Sequence, residues 1–147
     1  YNTSDDRLKH NEINLSNALN IINKLTPKQY FKTDKMYEAD HQFQLNEDGE
    51  PVDDDGNIIE YKKETGFIAQ EVLEIDELKH LVRIPKNNDE MSDAYGIYYN
   101  DLFVYNIAGT QELDRQQQID KAKIAELETE VATLKSELQA IKAHLGI

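Results

Sequence analysis

Hydrophobic and polar positions change period several times along the chain, and each change predicts an element. Leu15, Ala18, Leu19, Ile22 and Leu25 fall at helical spacing, with Asn14 placed to cap and Pro27 to stop a short amphipathic helix. Lys28–Lys32 with its Tyr30-Phe31 pair, residues 66–68 and residues 81–84 are short β-leaning runs, and residues 69–78 read as a second short helix. Residues 95–99 are aromatic and extended, after which Asn100-Asp101 offers an N-cap to one long helix whose weak point is Gly109. Between the first strand and the second lies a pseudo-repeat seven residues apart, Asp48-Gly49-Glu50-Pro51-Val52 and Asp55-Gly56-Asn57-Ile58-Ile59. Each Asp-Gly tolerates positive φ beside a β-leaning pair, so two tight turns on a hairpin-like excursion are expected.

The clearest periodicity is C-terminal. Ile124, Leu127, Val131, Leu134, Leu138, Ile141 and Leu145 alternate steps of three and four, the a/d repeat of a coiled coil, and Leu113 falls on the same seam at d. Gln117 and Asp120 also fall on it, so the seam starts polar and becomes apolar. The g-to-e′ pairs Lys123 with Glu128, Glu130 with Lys135 and Glu137 with Lys142 are all opposite in charge, which favours parallel, in-register strands. Oligomer number is left open by the pattern. Leu138 at a with Ile141 at d favours three or more strands, whereas Ile124 and Val131 at a with Leu127 and Leu134 at d favour two. A lone helix packed on its own domain fits poorly, because a two-in-seven seam is too narrow for ordinary core packing.

Composition sharpens this picture. The apolar share, 39% with 8 Tyr counted, is low for a 147-residue globule, which suits a chain that completes part of its core with other copies. Charge is lopsided at 16 Lys+Arg against 29 Asp+Glu, a net −13, and such a field repels phosphate backbones and anionic lipid. Nucleic acid and membrane are therefore not expected as partners. Residues 38–64 hold ten of the acidic residues against Lys62 and Lys63, which reads as a solvated acidic protrusion. An EF-hand loop fails there on spacing: with Gly56 at loop position six, Pro51 takes position one and Lys62 position twelve. There is no Cys, hence no disulfide framework, thiolate zinc site or cysteine nucleophile, and no apolar run long enough to span a membrane.

Candidate chemistry is sparse. His10, His41, His80 and His144 show no metal-ligand spacing, and glycine-rich phosphate loops, H-E-x-x-H and G-x-S-x-G are absent, so no metal and no cofactor are expected. One segment stands out: Ser4-Asp5-Asp6-Arg7-Leu8-Lys9 places a hydroxyl and an amine five residues apart, and a Ser-Lys dyad is one way to activate a serine. On a single helix these two would lie about 140° apart, so they meet only if a bend separates them. The plainer alternative has Ser4 capping a helix whose first turn holds Asp5 and Asp6.

Read in order, Ser4-Asp5-Asp6-Arg7-Leu8-Lys9, Leu25-Thr26-Pro27-Lys28-Gln29-Tyr30, Gly66-Phe67-Ile68-Ala69-Gln70-Glu71-Val72 and Tyr99-Asn100-Asp101-Leu102 before a long helix resemble the S74 peptidase family. That family comprises C-terminal intramolecular chaperone domains of phage tailspikes, tail fibres and neck appendages, and the matching domain of a membrane-bound transcription factor. The resemblance implies an α+β, predominantly helical fold in an intertwined homotrimer. Residues 1–3 would be the end of an upstream fibre chain, 4–100 the chaperone and autoprocessing domain with 44–63 as a protruding acidic insertion, and 101–147 the long helix with its trimeric coil. It further implies that the domain holds three copies of the upstream fibre or tailspike in register while they fold, then cuts itself off between Thr3 and Ser4.

In family terms Ser4 is the nucleophile and Lys9 the general base of a single-turnover self-cleaving serine peptidase. Lysine serves as a base near neutral pH only where desolvation or a neighbouring cation lowers its pKa from about 10.4. Arg7 is the nearest cation in sequence, Asp5 and Asp6 would oppose such a shift, and Gln70 and Glu71 are further candidates for organising the site. The implied setting is the host-cell cytoplasm during virion assembly. Two alternatives stand beside this reading: a permanent, uncut trimeric fibre tip, and the transcription-factor setting.

Overall fold

The computed structural model describes residues 4–86 and 93–147, and it is an α+β chain dominated by one long helix. Two compact units emerge, Asn20–Tyr105 in one and Tyr1–Leu19 with Asn106–Ile147 in the other.

The first helix, α1, spans Ala18–Ile22 only. Its expected start at Leu15 is lost because Asn17 adopts a left-handed conformation, φ 58°, which no helix interior accepts. Strand β1, Lys28–Lys32, begins directly after Pro27 and pairs antiparallel with β4, Lys62–Gly66, from Lys28 opposite Gly66 to Lys32 opposite Lys62. The strand expected at 66–68 thus begins four residues earlier, in the uniformly polar stretch Lys-Lys-Glu-Thr, which shows no apolar alternation.

Between them, β2 (Gln44–Leu45) pairs with β3 (Pro51–Val52), and Val52 bridges to Ile58. Both expected turns form, and by the same device. Asn46 and Asp53 each accept backbone N–H groups from two and four residues ahead on Oδ1, while Gly49 and Gly56 take φ of 79° and 82°. The sequence repeat is therefore a repeated Asx-anchored turn.

Helix α2, Ala69–Leu73, is shorter than expected, because Ile75 is extended and the chain resumes as a 3-10 helix over Asp76–Leu81. Strand β5 (Val82–Arg83) pairs antiparallel with β6 (Gly96–Ile97), so two runs expected as separate strands find each other. Helix α3 then runs Tyr99–Leu145, starting before the expected Asn100-Asp101 cap and continuing through Gly109 without a break. Its first turns contribute Leu102 and Tyr105 to a core built with Ile21, Val72, Leu78, Leu81 and Val82. Among the described residues no polar or charged side chain is buried in that core.

The remainder of α3 is a different structure. At about 1.5 Å per residue the helix is roughly 70 Å long. The seam residues Leu113, Ile124, Leu127, Val131, Leu134, Leu138, Ile141 and Leu145 are 45–62% exposed in the single chain. No described helix is long and apolar enough to cross a membrane.

Candidate active site

Ser4 and Lys9 meet. The Lys9 Nζ donates to Ser4 Oγ at 2.6 Å, and the bend that the five-residue spacing requires is a single 3-10 turn over Asp6–Leu8. Its closure comes from Leu8 N–H to the Asp5 carbonyl and Lys9 N–H to the Asp6 carbonyl, after which Lys9 is extended at φ −121°. Ser4 is not the cap of this turn. Asp5 is, accepting the Arg7 N–H on Oδ1 at 2.9 Å, which leaves the Ser4 hydroxyl to the lysine.

Arg7 was the expected cation beside Lys9, and the structure assigns its charge elsewhere. Its guanidinium grips the Asp5 carboxylate in a two-pronged pair, Nε to Oδ1 at 2.9 Å and Nη2 to Oδ2 at 2.7 Å. This pairing, aided by the capping bond, holds the Asp5 carboxyl below its usual range and raises Arg7. Of the three charges between Ser4 and Lys9, Asp5 and Arg7 therefore largely compensate one another. Ser4 and Lys9 are both solvent-exposed in the single chain. Thr3, the other half of the expected scissile bond, lies outside the described residues.

The remaining candidates belong to the Asn20–Tyr105 unit. Glu71 forms an ion pair with Lys28 across to the start of β1, and Gln70 is exposed on a groove of about 1040 Å3 walled by aromatic side chains including Tyr30, Tyr37, Phe67, Tyr95 and Tyr99. Ile68, not a polar side chain, occupies the N-cap of α2, so Gln70 and Glu71 are not caps either. The groove explains Gly66 of the Gly66-Phe67-Ile68-Ala69-Gln70-Glu71-Val72 run. A Cβ there would stand 2.6 Å from the Tyr99 hydroxyl and 2.8 Å from that of Tyr30. Tyr99 Oη also accepts the Phe67 N–H at 3.1 Å, and burial, then the neighbouring Tyr99 and Glu64, raise the Tyr30 phenol.

Two of the histidines make ring contacts: His41 stacks on Tyr37 and meets Phe43 edge-on, and His80 tilts against Tyr105. Among the described residues no cluster of three or more His, Cys, Asp or Glu is arranged to hold a metal ion.

One residue went unnoticed in the sequence. Glu112, on α3, accepts the N–H groups of Ala18 and Leu19 at 2.9 and 2.8 Å. Contacts 93 and 94 residues apart leave no local signal, and a glutamate on a charged helix reads as solvated.

Comparison with known proteins adds one match. No curated protein matches the chain. A family model described as the chaperone of endosialidase, peptidase S74, matches residues 4–83, more than half of the chain, and its first matched residue is Ser4. The family's description supports a chaperone-type function, and its peptidase designation supports serine-peptidase-type autoprocessing. With the motifs in order from Ser4 and a match of this extent, the chain belongs to the peptidase S74 family, the chaperones of endosialidase.

Proposed function

We propose that this domain is an intramolecular chaperone that trimerises through α3, holds an upstream viral fibre or tailspike chain in register while it folds, and then releases itself by cutting between Thr3 and Ser4. The observation that carries the reading is the 2.6 Å contact between Lys9 Nζ and Ser4 Oγ at the first residue of the family match.

The chemistry balances with these two side chains and water. Neutral Lys9 takes the hydroxyl proton of Ser4, and Oγ attacks the Thr3 carbonyl carbon. Collapse of the tetrahedral adduct breaks the bond from the Thr3 carbonyl to the Ser4 nitrogen, which takes the proton back from Lys9. Thr3 is then held as an ester on Ser4 Oγ. Water hydrolyses that ester, giving a Thr3 carboxylate and a free Ser4 with its hydroxyl restored. Each chain acts once.

Assembly supplies what the single chain lacks. Ser4 and Lys9 are exposed, so the water-excluding surroundings that base catalysis by lysine requires come from packing against other copies. The exposed seam of α3 supports the same reading, since an isolated helix with a narrow apolar stripe gains little until partners cover it. The setting that follows is the host-cell cytoplasm during virion assembly, with the domain's own copies and its upstream chain as partners.

The test is expression of the domain with a stretch of its natural upstream chain. Two bands on a denaturing gel are expected, merging into one after Ser4→Ala or Lys9→Ala. A single uncut band from the unaltered chain contradicts self-cleavage and favours a permanent trimeric tip.

A further inference from the structure

We infer that Glu112 is a positioning residue for the cut: it roots the arm that carries Ser4 and Lys9 on the coil helix. The inference rests on the self-cleavage reading above. Residues 4–17 are almost wholly exposed and contain no regular structure beyond the 3-10 turn. The described hydrogen bonds of residues 4–16 are local ones. The first bonds that tie this stretch to another element are those from the Ala18 and Leu19 N–H groups to Glu112, one residue before the seam position Leu113.

The grip is built rather than incidental. The left-handed turn at Asn17, φ 58°, aims successive backbone N–H groups to one side, and the Asn17 N–H adds to the pull on the same carboxylate. The Leu19 and Ala18 N–H groups lower the Glu112 carboxyl from its ordinary value, with Arg115 and then Asn17 contributing less. Both N–H groups would otherwise lie among the unsatisfied donors that open a helix. Ala18 itself is fully buried, so the root is fixed while the arm beyond it is free to reach.

The physical consequence is one of effective concentration. Fourteen residues extend at most about 50 Å, so where the arm is rooted decides which surfaces of the assembly the dyad can meet. A root beside Leu113 makes three arms leave the coil at one level, in the register that the seam sets. Loss of the root lets the arm detach and dilutes the dyad against the surface that buries it.

The test uses the whole domain with its natural upstream chain, comparing Glu112→Gln and Glu112→Asp with the unaltered protein. Cleavage rate per trimer is read beside trimer content and melting temperature. Amide exchange at Ala18 and Leu19 is measured in a Ser4→Ala background, where the chain stays whole. In E112Q the two amides should lose protection and cleavage per trimer should slow about tenfold or more, with trimer content and melting unchanged. E112D keeps the charge on a shorter stem and should recover part of the rate. E112Q trimers that cut at the unaltered rate overturn the positioning role alone, as do amides that stay protected or a slowing that merely follows lost trimer. An unaltered chain that is never cut contradicts the self-cleavage reading itself, and the positioning role falls with it.

Discussion

At the scale of single residues, the site is organised by which groups are already occupied. Asp5 both caps the turn and holds Arg7, so the Ser4 hydroxyl is left to Lys9. Because the Asp5 carboxyl is held below its ordinary value of 3.8, this pair contributes at every pH above that value and is lost as pH falls through its lowered pKa. Arg7→Ala should return the Asp5 titration towards 3.8, seen as an upward move in a carboxyl NMR titration of Ser4→Ala protein. An unmoved titration would show that the capping bond alone sets it. Gly66 makes a second prediction at this scale. Adding one methyl between the Tyr30 and Tyr99 hydroxyls should destabilise the domain by about 1–3 kcal/mol, measured as a lowered denaturation midpoint for Gly66→Ala. An unchanged midpoint would mean both rings yield freely.

Among the elements, what was legible followed from local chemistry. Strand β1, the two Asp-Gly turns and the long helix are visible because Pro27, the glycines and the heptads act over a few residues. Boundaries set by distant or conformational causes were not. Asn17 in the left-handed region truncates α1, and β4 is a polar strand specified by its partner β1. The Ser4–Lys9 pair lay between these cases: its residues were apparent, but the spacing alone allowed capping by Ser4, and only the turn at Asp6–Leu8 decides that Asp5 caps instead. Glu112 was invisible for the reason that hid β4. The seam of α3 belongs at this scale too. Replacing Leu134 and Leu138 by Ser should sharply lower trimer content by sedimentation, each buried leucine being worth roughly 2–5 kcal/mol on truncation. Cleavage should fall with it, and a monomer that cuts at an unchanged rate would sink the coupling of cutting to assembly.

For the molecule as a whole, low apolar content and a net charge of −13 become intelligible together. The Asn20–Tyr105 unit carries a small core, and much of the remaining apolar surface is a stripe on α3 suited to other copies. Acidic charge concentrates on residues 38–64, whose two turns are closed by the Asn46 and Asp53 side chains. Under the proposed function the domain is a scaffold whose chemistry is small and whose timing comes from assembly. That function is tested most directly by N-terminal sequencing of the fragment released when the domain is expressed with its natural upstream chain. The fragment should begin Ser4-Asp5-Asp6-Arg7 and vanish in Lys9→Ala; a fragment beginning at any other residue, or none at all from the unaltered chain, contradicts it.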